Sequence, residues 1–210
     1  MILLIGSQKG GVGKSTLCTN LAFFLAKKGR SLILVDGDSQ ESLSRWASDR
    51  EESEISPQIS CIKKNGRLKA TLMDLSQKYE YVICDTAGRD SVELRTALVV
   101  SDAIVSPFRP TQTDLDTLCH LENLVEEVKD FNEKLKAFAV LSMVNRSKGK
   151  KEEIFARDLF ERSNFKLMES FIGDRKAYQK AMGTGESVLE LDDKKAKDEI
   201  LKLCEEVFNV

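Results

Sequence analysis

The chain has 210 residues, 41% of them hydrophobic and 31% charged, with a formal net charge of -2. This composition predicts a globular domain with a sizeable core, and the near-neutral charge argues against a globally basic nucleic-acid binder. The five cysteines show no paired spacing, so a metal or iron–sulfur site is not indicated, and no apolar run is long enough to span a membrane.

The first predicted elements are a strand, a glycine-rich loop and a helix, in that order. Residues 1–6 form an apolar run typical of a buried strand, and residues 9–16 read KGGVGKST. Leucines then recur every four residues as far as a glycine at position 29, which indicates a helix and its end. This succession is the context that a phosphate-binding loop requires.

The loop contains the residue types that bind nucleotide phosphates. Its glycines permit positive φ and close approach of the backbone, so its amides can surround an anion. Lys14 supplies a positive charge for the terminal phosphates, and Ser15 supplies a hydroxyl for Mg²⁺. The strict phosphate-loop pattern has a glycine where this chain has Gln8. The predicted nucleotide-binding residues of the loop are Lys9, Gly10, Gly11, Val12, Gly13, Lys14, Ser15 and Thr16.

Strand-like and helix-like segments alternate along the rest of the chain. Further strands are predicted at 31–35, 59–62, 81–84, 103–107 and 137–144. Helices are predicted at 40–50, 68–78, 91–100, 114–132 and 152–162, and a last helix carries the apolar stripe Ala196, Ile200, Leu203 and Val207. This alternation predicts an α/β fold with a doubly wound, mostly parallel sheet flanked by helices. We expect one domain over residues 1–210, without an N-terminal DNA-binding extension.

Polar residues follow several predicted strands, at the sheet edge where ligands of such folds bind. Asp85 follows the strand at 81–84, in the usual setting of a carboxylate that holds Mg²⁺, and Gly88 can offer its amide to a γ-phosphate. Asp36 and Asp38 lie two apart in an extended segment, so their side chains face the same way. One can support Mg²⁺ while the other orients an attacking water; the alternative is that either caps the following helix.

The base of the nucleotide is expected to be adenine. The Asn-Lys-x-Asp signature of guanine-binding proteins is absent from the sequence. Asn145 and Arg146 follow the strand predicted at 137–144, and the Asn145 amide can pair with the edge of an adenine. The sequence therefore predicts ATP as the nucleotide, with Asn145 and Arg146 beside its base.

Several motifs together resemble the ParA/MinD family of ATPases, which have a deviant phosphate loop. They are KGGVGKST at 9–16, VDGDSQ at 35–40, DTAG at 85–88, the segment 107–114 and GESV at 185–188. The resemblance covers essentially the whole chain and is strongest to the compact ParA/ParF-like plasmid and chromosome partition proteins. It implies a ParA-like P-loop NTPase fold and a slow, partner-stimulated hydrolysis of ATP.

The resemblance also implies roles for individual residues. Lys9 would cross a dimer interface and contact the phosphates of the partner subunit's ATP, so that ATP binding drives formation of a homodimer. The implied catalytic residues are Lys9, Lys14 and Asp38, with Asp38 positioning the attacking water. The implied metal ligands, direct or through water, are Ser15, Asp36 and Asp85.

ParA-like proteins bind DNA without sequence preference in the ATP state and act with a centromere-binding, ParB- or ParG-like protein. The resemblance therefore implies plasmid or chromosome partition by a cytoplasmic protein, nucleoid-associated as an ATP-bound dimer or polymer and without membrane insertion. Basic residues before the last helix are the first candidates for DNA contacts, namely Lys194, Lys195 and Lys197. Other candidates are 148–151 and the group Arg175, Lys176 and Lys180, although a single basic run can also be a solvated face.

Two other functions stay open at this stage. A cargo- or cell-pole-positioning ATPase would use the same switch on a protein or membrane scaffold, but the terminal helix carries Glu205 and Glu206 and is typical of a docked core helix. A ligase-type metabolic enzyme would need a small-molecule pocket. Arg89, directly after Gly88, either contacts the γ-phosphate or faces solvent.

Overall fold

The computed structural model describes residues 1–115, 117–145 and 149–208. Within these residues, seven strands form one parallel sheet in the order β3-β2-β4-β1-β5-β6-β7, which confirms the predicted doubly wound α/β fold. The strands are β1 (Ile2–Ser7), β2 (Leu32–Gly37), β3 (Cys61–Lys63), β4 (Tyr81–Gly88), β5 (Ala103–Phe108), β6 (Lys136–Val144) and β7 (Lys166–Gly173).

Helices cover both faces of the sheet. They are α1 (Lys14–Lys27), α2 (Ser42–Glu52), α3 (Lys69–Ser76), α4 (Val92–Leu98), α5 (Gln112–Leu115), α6 (Leu118–Lys129), α7 (Gly149–Phe160), α8 (Lys176–Thr184) and α9 (Lys194–Phe208). One hydrophobic core forms where α3, α4, α6 and α7 pack on the sheet, and a second forms under α1, α2, α8 and α9.

The central strand β1 shows why the apolar runs are continuous rather than alternating. Leu3 and Ile5 enter the core under α1, whereas Ile2 and Leu4 enter the core on the opposite face. Because helices cover both faces, every position of such a strand is buried. β1 lies between β4 and β5, where the strand order changes direction, and ligands of doubly wound folds bind at the carboxyl ends of strands at that place.

The prediction of one long helix at 114–132 is wrong, because the chain forms two helices there. α5 ends at Leu115 and α6 begins at Leu118. Between them the backbone N–H and the hydroxyl of Thr117 both donate to the carbonyl oxygen of Asp114, at 3.1 and 2.7 Å, which makes a turn. The apolar stripe predicted for this helix is buried as expected and lies on α6.

β7 and α8 were not predicted from the sequence. β7 is an edge strand with only part of its residues buried, so it lacks the continuous apolar run of the central strands. The backbone N–H groups of Glu169 and Ser170 have no partner strand among the described residues and donate instead to the carboxylate of Glu206 on α9, at 2.8 and 2.9 Å. This contact shields the edge of the sheet, and it joins residues far apart in sequence.

Candidate functional site

The glycine loop lies between the end of β1 and the start of α1. Gly11 and Gly13 have φ values of 69° and 99°, a left-handed region in which a side chain would be strained. Val12 is buried and anchors the loop to the core. Lys14 is buried and its Nζ donates to the carbonyl oxygen of Lys9 at 3.4 Å, so its ammonium lies beneath the loop.

Gly88, at the end of β4, lies directly against this loop. A Cβ atom added to Gly88 would lie 2.4 Å from the backbone nitrogen of Gly10 and 2.4 Å from the carbonyl carbon of Lys9. Backbone atoms cannot move away as a flexible side chain can, so only glycine fits between the two segments. The structure thus brings the predicted Gly88 to the first residues of the loop.

A serine and two aspartates lie side by side below the loop. The Ser15 hydroxyl donates to Asp85 Oδ2 at 2.5 Å, while Asp85 Oδ1 is buried without a hydrogen-bond partner. Burial raises the pKa of Asp85 to about 7, against the lowering effects of the Ser15 hydrogen bond and the Lys14 charge. Asp36 lies beside Asp85 in the register of β2 and β4.

Asp36 also caps a helix, which is one of the two alternatives that the sequence left open. Its Oδ2 accepts the backbone N–H of Ser44 in the first turn of α2 at 2.8 Å, and its Oδ1 accepts that of Asp38 at 3.1 Å. Both oxygens of Asp36 therefore have partners, whereas Asp85 keeps one oxygen without any.

The residues below the loop fit a magnesium ion that is bound mainly by its nucleotide. Among the described residues no group of three or more histidine, cysteine, aspartate or glutamate side chains could hold a metal. Mg²⁺ takes oxygen ligands, keeps several waters and is commonly bound by one or two protein groups together with phosphates. Ser15 Oγ and the unpaired Asp85 Oδ1 supply oxygen donors of that kind.

A cleft of about 320 Å³ runs over the loop. Asp38 borders this cleft, and its Oδ1 accepts the backbone N–H of Gln40 at 3.0 Å. Asp38 therefore faces the same space as the loop, although its side chain is partly exposed. The cleft is lined by Gly10, Gly11, Gly13, Lys14, Ser15, Thr16, Asp38, Gln40, Ser42, Met143 and Met182.

A second cavity of about 190 Å³ adjoins the cleft. It shares Gly13, Thr16, Met143 and Met182 with the cleft, and Tyr178 forms part of its wall. Apolar walls next to a phosphate site suit a flat aromatic base. No role is predicted from sequence for Met143, Tyr178 or Met182; Tyr178 and Met182 lie on α8, a helix that was not predicted.

Asn145, one of the two predicted base contacts, does not line this second cavity. Asn145 lines a neighbouring cleft of about 250 Å³ together with Arg175 and Lys195. The two cavities share residues 173–175 in their walls, so Asn145 lies beside the second cavity rather than in it. Arg146 lies outside the described residues.

Lys9 is held within its own chain. Its Nζ donates to Asp114 Oδ2 at 2.9 Å and to Thr113 Oγ1 at 3.2 Å. Asp114 is buried, and its Oδ2 also accepts the Thr111 hydroxyl at 2.5 Å. The segment 107–114 is one of the motifs of the family resemblance, but no role is predicted for Asp114; its position after β5, at the same sheet edge, was the available signal.

Arg109 is another residue whose role the sequence did not reveal. Its Nη2 donates to the carbonyl oxygen of Gly11, so the residue after β5 braces the phosphate loop. Its Nε is buried without a hydrogen-bond partner. Together with the orphaned oxygens of Asp85 and Asp114, this nitrogen places unsatisfied polar atoms around the loop, as expected where a polar ligand binds.

The predicted DNA-contacting lysines lie at the start of α9 among acidic residues. Lys194 and Lys195 are exposed and Lys197 is partly exposed. Asp193 caps the helix, because its Oδ1 accepts the backbone N–H groups of Lys195 and Ala196 at 3.1 and 3.0 Å. Asp192 and Asp198 flank the same run.

The other basic candidates differ in their surroundings. Arg175 is committed to the buried Glu199, with its Nη2 at 2.6 Å from Glu199 Oε1, whereas Lys176 and Lys180 are exposed. The run 148–151 lies outside the residues whose side chains the structure describes. Arg89 is exposed.

The sequence matches a known family of nucleotide-binding domains over most of its length. The model of the family described as the CobQ/CobB/MinD/ParA nucleotide binding domain matches residues 3–188. The chain is 33% identical over 199 residues to the maintenance of carboxysome distribution protein A of Gloeobacter kilaueensis, covering 94% of this chain and 88% of that protein.

Two solved structures share the fold. One is a plasmid partition protein of Borrelia burgdorferi bound to AMPPNP, with a TM-score of 0.75, 20% identity and coverage of 99% and 98% of the two chains. The other is the MinD cell division protein of Aquifex aeolicus, with a TM-score of 0.80, 17% identity and coverage of 100% and 97%. Among the described residues, no helix is of the length and hydrophobicity needed to cross a membrane.

Proposed function

This chain belongs to the CobQ/CobB/MinD/ParA family of nucleotide-binding domains, and from that premise we propose that it is a Mg²⁺-dependent ATPase that dimerises on ATP and partitions DNA. One observation carries the ATPase proposal. The glycine loop, Lys14 and the Ser15–Asp85 pair converge at the carboxyl end of β1, with an unpaired Asp85 oxygen beside them. These groups match the needs of a nucleoside triphosphate and its cation.

The proposed mechanism depends on position and charge, as phosphoryl transfer requires. The loop amides surround the β- and γ-phosphates, and Lys14 neutralises charge from below. Ser15 and Asp85 would hold Mg²⁺, with Asp36 beside them, and the chemistry the ion would supply is neutralisation of negative charge on the phosphates. Asp38, which borders the cleft, orients the attacking water. Asn145 and Arg146 stay the proposed contacts of the adenine.

Dimerisation is proposed to depend on Lys9. In the single chain its ammonium binds Asp114, and its side chain is 38% exposed. In the ATP state Lys9 would leave Asp114 and pair with the phosphates bound by the partner chain, because a triphosphate offers more negative charge than one carboxylate. Hydrolysis and loss of the γ-phosphate would weaken that contact and release the dimer.

The biological role proposed first is plasmid or chromosome partition with a centromere-binding partner protein. The AMPPNP-bound relative of this fold carries the description of a plasmid partition protein. A second role, positioning of another cargo by the same switch, is favoured by the 33% identity to a maintenance of carboxysome distribution protein. The ATPase cycle and the dimer are common to both roles, and the partner and cargo differ.

Lys14→Ala tests the nucleotide site directly. Removing the buried ammonium should abolish ATP binding in calorimetry, because it removes the positive charge that lies beneath the loop for the terminal phosphates. Lys27→Ala is the matched control, since Lys27 is the last residue of the same helix and is exposed. Equal ATP affinity in the Lys14 variant and the control would contradict the assignment of the loop.

The DNA-binding part of the proposal needs the wild-type protein alone. DNA of unrelated sequence is titrated with ATP, with ADP and without nucleotide, at two salt concentrations. Binding only with ATP, and weaker at high salt, is expected for phosphate contacts made by a dimer. ATP hydrolysis without DNA binding in any state would overturn DNA partition and favour the cargo-positioning role on a protein scaffold.

A further inference from the structure

A short basic segment outside the nucleotide site runs from the last residue of β3 to the first residue of α3. Residues 63–69 read KKNGRLK, which places four cations and no acidic residue within seven positions. The side chains of these four cations are exposed. The whole chain has a net charge of -2, so this segment, named here the basic loop, is a local concentration of positive charge.

Most of the charge on the basic loop has no counter-ion. Lys63 pairs with Glu41 at 2.7 Å, in an exposed ion pair. Within the described part of the chain, Lys64, Arg67 and Lys69 form no ion pair. The lysines at the start of α9 also form no ion pair among the described residues, but residues 192–198 carry three aspartates and three lysines and so no net charge, whereas residues 63–69 carry four cations and no acid.

The backbone of the basic loop is fixed to the scaffold on both sides. The Lys64 N–H donates to the carbonyl oxygen of Asp36 at 2.9 Å, and the Gly66 N–H donates to Glu93 Oε1 at 2.6 Å. The Leu68 N–H donates to Thr96 Oγ1 at 2.9 Å, and the Leu68 side chain is fully buried. The loop therefore presents its cations from an ordered backbone.

These contacts also join the basic loop to the nucleotide site. Glu93 and Thr96 lie on α4, which begins four residues after Gly88, the residue packed against the phosphate loop. Asp36, whose carbonyl oxygen accepts the Lys64 amide, lies on β2 beside Asp85. A change in the segment 88–91 between nucleotide states would reach the basic loop through two hydrogen bonds of α4.

We propose that the basic loop binds the phosphate backbone of duplex DNA and is the principal DNA contact of this protein. The proposal rests on the proposed ATP switch and names the surface that the switch presents. Exposed lysine and arginine on a loop are typical of phosphate contacts. Protein interfaces centre on aromatic or apolar anchors, and residues 63–69 expose neither, since Leu68 is buried.

The test removes the unpaired charges. Lys64→Gln, Arg67→Gln and Lys69→Gln are combined in one variant, and DNA affinity with ATP is measured at several salt concentrations. Affinity should fall about tenfold or more, and the slope of log K against log salt should become shallower by about 2.7 per chain, or about 0.9 for each DNA phosphate that is no longer neutralised. ATP-dependent dimer formation should stay at the wild-type level.

Two variants with the same change in charge serve as comparisons. The first replaces Lys194, Lys195 and Lys197 with glutamine; the second replaces Lys27, Lys134 and Lys136, which are exposed and lie at or shortly before the amino ends of β2 and β6. Both should lose less than about threefold in DNA affinity, because their charges lie among acids or far from the loop. A loss in either as large as in the basic-loop variant would overturn the proposal.

The remaining outcomes separate this inference from the proposed function. If the wild-type protein binds DNA with ATP and the basic-loop variant binds equally well, the inference alone is wrong. If the wild-type protein binds no DNA in any nucleotide state, DNA partition itself fails. If polyglutamate displaces DNA at equal charge concentration, the loop is a site for an acidic protein, which also overturns the inference.

Discussion

Gly88 shows how a single absent methyl group can position a nucleotide site. The backbone of β4 reaches the first residues of the phosphate loop only because no Cβ separates them. The sequence indicated Gly88 for its amide, as a donor to a phosphate. The structure adds a packing requirement, since the nearest atoms belong to the backbone of Lys9 and Gly10.

We predict that Gly88→Ala weakens ATP binding by at least about tenfold and destabilises the fold by about 1–3 kcal/mol, the usual cost of overpacking. The added Cβ would lie 2.4 Å from backbone atoms, so the loop must shift. Calorimetry with ATP and urea unfolding measure the two effects.

The matched control for this change is Gly183→Ala. Gly183 is exposed on α8, and a Cβ there would meet no atom within 4 Å. Alanine should leave ATP affinity unchanged and stabilise the helix by up to about 1 kcal/mol. Wild-type ATP affinity in Gly88→Ala would show that the loop is not tightly packed against β4.

Residues of the site were predictable from sequence where a local motif carries the chemistry. The loop residues and Asp85 follow continuous apolar runs, so their place at the sheet edge could be inferred from those runs. Arg109 and Asp114 could not be assigned in this way. Their roles depend on contacts with Gly11 and Lys9, about one hundred residues away along the chain.

At the scale of elements, the central strands were predictable because they are buried on both faces and therefore uniformly apolar. The same reasoning failed for β7, an edge strand with partly exposed residues, whose free N–H groups are satisfied by Glu206. Hydrophobic periodicity also predicted one helix in place of α5 and α6, because the break between them depends on local hydrogen bonds of Thr117.

A buried ion pair between Arg50 and Glu190 joins the segment 185–190 to α2. The Arg50 side chain is 0% exposed, and two of its nitrogens bind the two carboxylate oxygens of Glu190 at 2.8 and 3.0 Å. Arg50 also donates to the carbonyl oxygens of Pro57 and Gly185, at 2.8 and 2.9 Å. Neither α2 nor this segment signals the pairing in its own sequence pattern.

We predict that Glu190→Ala lowers the free energy of unfolding by about 3–5 kcal/mol, because it leaves the Arg50 charge buried without its counter-ion. Urea unfolding monitored by Trp46 fluorescence measures the loss; Trp46 is buried beside Arg50 and donates to Glu186 O. Asp198→Ala is the control, since it removes an exposed pair with Lys202 and should cost about 0–1 kcal/mol. Similar losses in both variants would mean that the buried pair contributes no more than a surface one.

At the scale of the whole molecule, Asp114 would compete with the partner chain's nucleotide for the ammonium group of Lys9. Lys9 cannot pair with Asp114 and reach a partner's phosphates at the same time. Asp114 is buried and also binds Thr111, so the carboxylate is fixed while the lysine can leave. The strength of the Lys9–Asp114 pair therefore sets part of the free energy that ATP binding must supply before two chains can associate.

Asp114→Asn tests this competition. With the ion pair weakened by about 1 kcal/mol, the ATP concentration at half-maximal dimer formation should fall about fivefold, as measured by sedimentation or light scattering. Asp198→Asn makes the same change in an exposed pair with Lys202 and should leave that concentration unaltered. If that ATP concentration is also unaltered in Asp114→Asn, breaking the Lys9–Asp114 pair costs no free energy during dimerisation. If its dimers form only at higher ATP, Asp114 instead holds the loop in its binding conformation, and the contact with Lys9 assists association rather than opposing it.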